Sequence, residues 1–157
     1  MLEKNEVSIL FAEACDNQKI FPLNILKFLK HQSFILENYK INDKICVALA
    51  SSLPYAASDI KTLIMDNNGL TDTGITTIVK SLKSSKLEKI IYSRNHFGPG
   101  FIGELAKFFH NKENKLVELN FSGSFTDQAN IPLFMDTLLM PHCKLKYLSI
   151  AKLKISF

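Results

Sequence analysis

The feature that most constrains this chain is a strand-like apolar pattern that returns at nearly constant spacing. Its central positions are residues 34, 63, 90, 119 and 148, so the spacings are 29, 27, 29 and 29 residues. A fixed period of about 20 to 50 residues is the signature of a repeat architecture, and four such similar intervals are hard to obtain by chance. The chain is therefore predicted to consist of repeated units.

The clearest unit runs from Ile60 to Leu82. Its first half alternates apolar and polar residues, as a strand does, and its second half repeats every four residues, as a helix does. Either Asp72 or Thr71 is suited to cap the N-terminus of the helix that follows them. Each unit is thus predicted to be strand, turn and helix, with parallel strands near 62–65, 89–92, 118–121 and 147–150.

The helices of the other units follow from their apolar faces. Asn42 and Asp43 are suited to the start of one helix. Residues 51–59 are rich in turn formers and predict a return to the next strand. Further helices are expected at about 100–110 and 131–140. The residues expected to point inward are Ile75, Ile78, Val79, Leu82, Phe101, Leu105, Phe108, Phe109, Phe134, Leu138 and Leu139.

Residues 1–32 fit the repeat least well. The segment 7–11 (VSILF) is compatible with a strand, and 22–31 (PLNILKFLKH) predicts a helix with Pro22 in its first turn. This region is either a degenerate first repeat that serves as an N-terminal cap or an unrelated helical cap. Residues 33–157 are then repeats of 27–29 residues, of which the last is incomplete.

Composition narrows the class of protein. The chain of 157 residues is 46% hydrophobic and 22% charged, which is typical of a single globular domain. No apolar run approaches the roughly 20 residues that span a bilayer, and the N-terminus lacks the basic start of a signal peptide. Cys15, Cys46 and Cys143 have no metal-type spacing, which favours free thiols in a reducing compartment. We expect an intracellular protein, cytoplasmic or cytoskeletal, that does not bind membranes.

The net charge of +4 is concentrated at one end of the sequence. Residues 1–136 hold 15 basic and 15 acidic side chains, so the excess comes from Lys144, Lys146, Lys152 and Lys154. Arg94 is the only arginine, whereas nucleic-acid binders usually carry a broad, arginine-rich basic face. We expect no nucleic-acid partner. The lysines are either a solvated edge that opposes aggregation or a patch for an acidic protein surface.

The sequence contains no recognisable reaction chemistry. Histidines 31, 96, 110 and 142 lack neighbours at metal-ligand spacing. Residues 97–100 (FGPG) follow a strand, but Pro99 lacks an N–H that a phosphate loop would use. No serine has the context of a nucleophile elbow, and no carboxylates are paired for acid–base catalysis. We expect no catalytic, cofactor-binding or metal-binding residues, and therefore no enzyme.

The repeated pattern L-x-x-L-x-L-x-x-N-x-L resembles the leucine-rich-repeat family, and its long helical half resembles the ribonuclease-inhibitor-like subclass. The residues that carry the resemblance are Ile60, Leu63, Met65, Asn68 and Leu70, and then Leu87, Ile90, Tyr92, Asn95 and Phe97. Tyr39, Ser124 and Leu153 stand where the family has asparagine. In that family the asparagine links neighbouring turns by hydrogen bonds, so the resemblance implies weaker links at both ends of the chain.

The resemblance implies an α/β solenoid with a curved parallel sheet on the concave side and helices on the convex side. Strands lie about 4.8 Å apart and helices about 8–10 Å apart, so a stack of such units must curve with its strands inside. Strand residues pointing away from the core would form the concave face. The predicted partner-binding residues are Ile64, Asp66, Lys89, Ile91, Ser93, Arg94, Glu118 and Asn120.

The middle outward positions of successive strands are Ile35, Ile64, Ile91, Asn120 and Ser149, of which the first three form an apolar row. Such a row predicts an interface. The alternative is that these β-branched residues merely suit strands and are covered by other parts of the protein. The favoured function is a non-catalytic protein–protein interaction or scaffold module within a larger assembly. The alternative is a regulatory repeat domain acting on a nucleotide-dependent enzyme, of GTPase-activating or sensor type, in which Arg94 would stabilise transferring phosphate charge.

The C-terminal segment 145–157 reads as a strand and turn without a following helix. Leu148, Ile150, Leu153 and Ile155 would then lie partly uncovered, whereas a repeat stack normally ends in a polar capping unit. We expect this edge either to be continued by more chain or to be covered by a partner.

Overall fold

A computed structural model describes residues 4–30, 32–56, 59–82 and 86–156. These residues form five α-helices, one short 3-10 helix at Leu26–Phe28, and eight strands. The helices are α1 (Lys4–Asn17), α2 (Asp43–Ala56), α3 (Asp72–Ser81), α4 (Pro99–His110) and α5 (Asn130–Leu138). The strands are β1 (Leu29–Lys30), β2 (Ser33–Ile35), β3 (Thr62–Ile64), β4 (Lys89–Ile91), β5 (Glu118–Asn120), β6 (Phe125–Asp127), β7 (Tyr147–Ser149) and β8 (Lys154–Ser156).

The main sheet has the strand order β1-β2-β3-β4-β5-β7. Only the β1–β2 pair is antiparallel, and every other neighbouring pair in this sheet is parallel. The pairing aligns Phe34, Leu63, Ile90, Leu119 and Leu148, which are the central positions of the sequence repeat. The predicted parallel strands and their register are therefore confirmed. Strands β6 and β8 form a separate parallel pair.

One hydrophobic core runs along the main sheet and the helices. The central strand residues Phe34, Leu63, Ile90 and Leu119 are fully buried, and each helix from α1 to α4 contacts the next one in sequence. Stacked aromatic rings fill the later part of the core, with ring centroids 4.7 Å apart for Phe97 and Phe121. The described part of the chain is thus an α/β protein with a mostly parallel sheet. None of its helices has the length and apolarity needed to cross a bilayer.

Two predictions for residues 1–32 are wrong. The segment 7–11 lies inside α1, where Val7, Phe11 and Cys15 recur every four residues on one buried helical face. Residues 22–30 do not form the predicted helix, because they contain only the 3-10 helix and then strand β1, in which Leu29 pairs with Phe34 of β2. Tertiary pairing here overrides the local helical pattern. His31 lies outside the described residues.

Two helix boundaries also differ from the predictions. Helix α2 continues to Ala56, so the turn predicted from residue 51 is helical to that point. The hydroxyls of Ser51 and Ser52 donate to carbonyls one turn earlier, and the helix carries Leu53 fully into the core. Leu139 is 80% exposed rather than inward, because α5 ends at Leu138.

The predicted helix caps are confirmed. Asn42 Oδ1 accepts the N–H of Ile45 at 3.1 Å, at the start of α2. Thr71 Oγ1 accepts the N–H of Thr73 at 3.3 Å, at the start of α3. These bonds satisfy donors that the first turn of a helix leaves unpaired.

Candidate interaction face of the sheet

The main sheet has an open face, which we define by the row Ile35, Ile64, Ile91, Asn120 and Ser149 and the residues that flank it on the same side. The parallel register places these five residues next to one another on consecutive strands. Ile35 is 39% exposed, and Ile64 and Ile91 are half-buried. Of the residues predicted from sequence, the structure places Ile64, Lys89, Ile91, Glu118 and Asn120 on adjacent strands, and Asp66, Ser93 and Arg94 in the turns that follow β3 and β4. Ser93 is buried, so it does not offer its side chain to a partner as predicted.

The charged residues of the open face pair with one another. Arg94 Nε donates to Asp66 Oδ1 at 3.2 Å, and its Nη2 donates to Asp66 Oδ2. Lys89 Nζ lies 2.9 Å from Glu118 Oε1 on the next strand. Such exposed pairs contribute only about 0–1 kcal/mol each to stability. They do neutralise one another locally, so this part of the open face offers a partner little unbalanced charge.

The half of the open face towards the C-terminus is a network of hydroxyl and amide groups. Ser93 Oγ donates to Asn120 Oδ1 at 3.1 Å, and the same oxygen accepts the N–H of Ser122 at 2.9 Å. The hydroxyls of Ser122 and Ser149 lie 2.6 Å apart. The open face therefore has an apolar half, from Ile35 to Ile91, and a polar half.

A groove of about 300 Å³ adjoins the apolar half near the N-terminus. It is lined by Phe28, Lys30, Ser33, Ile35, Glu37 and Tyr39. The rings of Phe28 and Tyr39 meet edge to face with centroids 4.7 Å apart, which is a favoured aromatic geometry. The sequence prediction missed Phe28 because it placed that residue in a helix. The one signal was Tyr39, an aromatic residue where the repeat has asparagine.

A left-handed residue recurs in each turn beside the open face. Asn38, Asn67, Arg94, Gly123 and Lys152 have φ angles of 60°, 51°, 56°, 69° and 55°. Four of the five are not glycine, although this conformation is unfavourable for residues with a Cβ. Because the same conformation recurs at each of these positions, the turns share one backbone shape.

Buried asparagines hold these turns in place. Asn95 Oδ1 accepts the N–H groups of Asn68 (3.0 Å) and Leu70 (3.1 Å) in the preceding turn. Its Nδ2 donates to the carbonyl of Met65 at 2.7 Å. Asn68 does the same one unit earlier, since its Oδ1 accepts the N–H of Tyr39 at 2.9 Å.

The substituted asparagine positions form fewer links. Ser124 Oγ accepts the N–H of Asn95 at 3.3 Å and donates to the carbonyl of Tyr92 at 3.0 Å. Leu153 has no polar side-chain atom, and the side chain of Tyr39 packs on Phe28 instead. Among the described residues, side-chain hydrogen bonds between turns are thus fewer at Tyr39, Ser124 and Leu153 than at Asn68 and Asn95.

Two aspartates form a second set of links that the sequence prediction missed. Asp72, at the start of α3, accepts the N–H groups of Gly98, Gly100 and Phe101 at 2.8–2.9 Å and so caps the next helix, α4. Asp43, at the start of α2, accepts the N–H of Thr71 at 3.0 Å, just before α3. Each carboxylate therefore stabilises the helix of the following unit. The signal in the sequence is an aspartate at the start of two successive helices.

The buried titratable groups serve the core. Burial raises the pKa of Tyr92, assisted by Cys46, Asp43 and Asp72, and its hydroxyl donates to the carbonyl of Thr71 at 2.9 Å. Burial, and then Asp43, also raises the pKa of the Cys46 thiol, which makes the reactive thiolate less accessible. Among the described residues there is no group of three metal-binding side chains.

None of the protein-family models matches the sequence, and no curated protein matches it either.

Proposed function

We propose that this chain is a leucine-rich-repeat module of the ribonuclease-inhibitor-like subclass that acts as a non-catalytic interaction scaffold within a larger protein assembly. The sheet would form the concave side of a solenoid, and the partner would bind there. The observation that carries the proposal is the row Ile35, Ile64 and Ile91, which lie side by side on three adjacent strands and point away from the core.

The repeat assignment is supported by side-chain roles that recur with the period. The central strand residues, the left-handed turn residues and the asparagines Asn68 and Asn95 all repeat at intervals of 27 or 29 residues. Residues 1–32 fit the role of a cap, since α1 contacts α2 and β1 ends the sheet by antiparallel pairing. Residues 33–157 would then be the repeats.

The surface of this chain that contacts the partner is proposed to be the apolar row, with few unpaired charges around it. Removing apolar surface from water contributes about 25 cal/mol per Å² of favourable free energy. Contiguous exposed apolar residues therefore mark interfaces. The paired charges Asp66–Arg94 and Lys89–Glu118 leave a rim of mixed sign that suits a protein surface. The aromatic groove beside Ile35 extends this apolar surface towards the N-terminus.

The test is crosslinking mass spectrometry on the native complex with the wild type and with the double variant Ile64→Asp/Ile91→Asp. Lys61 and Lys89 flank the apolar row and report crosslinks from a partner on the open face. We expect the double variant to fold and to lose these crosslinks, because both side chains point away from the core. The matched control is Ile9→Asp, since Ile9 is an exposed residue of α1.

Two outcomes would contradict this proposal. A folded double variant that keeps every open-face crosslink would mean that the partner binds elsewhere. A loss of binding in the Ile9→Asp control of equal size would place the partner on α1.

The second candidate function is regulation of a nucleotide-dependent enzyme, of GTPase-activating or sensor type. One observation favours it: the Arg94 side chain, in the turn that follows β4, is 55% exposed. The two bonds to Asp66 weigh against it, because they must break before the guanidinium can reach a phosphate. GTP hydrolysis by small GTPases, measured with wild type and Arg94→Ala, separates the two functions, and we expect no acceleration by either protein.

A further inference from the structure

A cleft of about 290 Å³ lies where the C-terminal halves of α3 and α4 meet the segments that lead into β4 and β5. We call it the helix-end cleft and define it by its lining residues, at positions 79, 86–87, 104, 107–108, 111 and 113–115. It shares no residue with the row that defines the open face. An engineered apolar cavity of roughly 150 Å³ in another protein holds benzene. The helix-end cleft therefore has room for an aromatic ring with a substituent at each end.

The floor of the helix-end cleft is apolar except for one carboxylate. Val79 and Leu87 are 1% exposed, and Phe108 is half-buried. Glu104 lines the same cleft and is only 4% exposed. Acidic side chains are rarely buried unless they are paired, because an ionised carboxylate loses its hydration on burial. The partners of the two Glu104 oxygens therefore decide what the floor can bind.

The two carboxylate oxygens of Glu104 differ in their partners. Oε1 lies 2.7 Å from Nζ of Lys107 and 3.8 Å from Nζ of Lys80. Oε2 has no hydrogen bond or ion pair within the described part of the chain. Buried polar atoms are nearly always hydrogen-bonded, so Oε2 offers an acceptor to a donor that enters the cleft. Because two lysines already balance the charge of Glu104, a neutral donor such as a hydroxyl suits this position.

The rim of the helix-end cleft favours an anion. The rim residues that form no ion pair with a described residue are two exposed lysines, Lys86 and Lys115, and one exposed acid, Glu113. Asn111 Oδ1 accepts the N–H of Glu113 at 2.9 Å, and its Nδ2 is then available as a further donor. Ammonium and amide donors together form strong hydrogen bonds to a carboxylate.

We propose that the helix-end cleft binds a small organic anion whose other end carries a hydroxyl. The hydroxyl donates to Glu104 Oε2 on the floor, the apolar body of the ligand packs against Phe108 and its neighbours, and the anionic group lies between Lys86 and Lys115. Small-molecule sites have this composition, with mostly apolar walls and a few placed polar groups. The inference is independent of a partner on the open face, so each can fail without the other.

The test uses the full chain and three probes of nearly equal size. The first is para-hydroxyphenylacetate, which has a carboxylate, a ring and a hydroxyl in this order. We expect saturable NMR shifts at Leu87, Phe108 and Asn114, with a dissociation constant of about 1 mM, as is usual for so small a ligand. Phenylacetate lacks the hydroxyl, and tyramine has an ammonium group instead of the carboxylate. We expect each of these two to bind about tenfold more weakly.

Protein variants assign each preference to its side chain. Glu104→Leu is expected to remove the preference for the hydroxyl, because the floor then has no acceptor for it. Replacement of a buried ion pair by an apolar residue is often neutral for stability. Lys86→Glu/Lys115→Glu is expected to reverse the preference for the carboxylate over the ammonium probe. Lys112→Glu/Lys146→Glu is the matched control, since both residues are exposed outside the cleft and the change in net charge is the same. We expect this control to keep the wild-type preference.

Three results would overturn the proposal. They are the absence of saturable binding by the wild type, equal affinity for the three probes, and shifts that lie away from the helix-end cleft. A control variant that reverses the charge preference as strongly as Lys86→Glu/Lys115→Glu would also do so. Circular dichroism checks the fold of each variant. If Glu104→Leu does not fold, the comparison of para-hydroxyphenylacetate with phenylacetate on the wild type decides the role of the floor.

Discussion

The middle turns of this protein and its last turn follow the same backbone path but differ in what lies inside them. Asn67, Arg94 and Lys152 share a left-handed conformation. Inside the middle turns, Asn68 and Asn95 each bond to the preceding unit. Inside the last turn lies Leu153, which makes no such bond. The register of the strands is equal in both regions, so buried polar side chains, not strand pairing, make the difference in how firmly units are joined.

The same contrast holds for the helices. Asp72 caps α4 with three hydrogen bonds across the unit boundary, whereas α5 begins without any side-chain cap bond. A unit in the middle is therefore held by its turn and by its helix start. The last unit is held mainly by the strand pair β5–β7 and by β6–β8. We expect the C-terminal unit to open more easily than the middle units.

The largest expected effect is a difference in amide exchange between equivalent positions. The N–H groups of Lys89, Glu118 and Tyr147 make the same bond to the previous strand, at 3.0–3.1 Å. We expect exchange at Tyr147 to be about a thousandfold faster than at Lys89, because the end unit opens locally. Native-state hydrogen exchange by NMR measures this directly. Equal protection at both positions would contradict the contrast between the regions.

Replacing the asparagine of a middle turn should reduce stability more than replacing Ser124, which occupies the equivalent position nearer the C-terminus. Asn95→Ala leaves the buried N–H groups of Asn68 and Leu70 without an acceptor, and we expect a loss of about 3 kcal/mol in the free energy of unfolding. Ser124→Ala is expected to cost about 1 kcal/mol, because its bonds are fewer and longer. Urea denaturation compares the two. A larger loss for Ser124→Ala would reverse the ranking of the turns.

The aspartate cap between units should contribute somewhat less to the free energy of unfolding than Asn95 does. Asp72→Ala removes the acceptor of three N–H groups at the start of α4, and we expect a loss of about 2 kcal/mol. Asp136→Ala is the control, since this exposed carboxylate of α5 has no described side-chain bond, and we expect a change within about 0.5 kcal/mol. Thermal and urea unfolding both serve as the measurement. Equal stability of the two variants would show that the cap does not join the units.

Substitution of two glycines of α4 should have the smallest effects on the free energy of unfolding, and the two effects should have opposite signs. A Cβ at Gly100 would lie 2.6 Å from Asp72 Oδ2, so Gly100→Ala must displace the cap, and we expect a loss of about 1–2 kcal/mol. A Cβ at Gly103 would meet nothing within 4 Å, so Gly103→Ala should stabilise the helix by about 0.5–1 kcal/mol. Urea denaturation again gives the values. Stabilisation by Gly100→Ala would indicate a looser contact between α3 and α4 than the structure has.

Much of the sheet and of the open face could be predicted from sequence. Strand side chains alternate in direction, so the pattern around Leu63 and Ile90 already placed Ile64 and Ile91 on the outer side. The period then placed these residues next to each other. The pairing of Arg94 with Asp66 could not be predicted, because it depends on the shape of two turns that lie 28 residues apart. That pairing decides how much charge the open face offers a partner.

The sequence by itself determined the features that its repeated apolar pattern encodes, namely the period, the strand register and the buried faces of most helices. The tertiary structure decided those that need two segments. Residues 29–30 became a strand because β2 was available to pair with them. Asp72 became a cap because the next helix starts beside it. Local periodicity follows from the geometry of one chain segment, whereas such contacts exist only once the units are stacked, and so only the folded structure contains them.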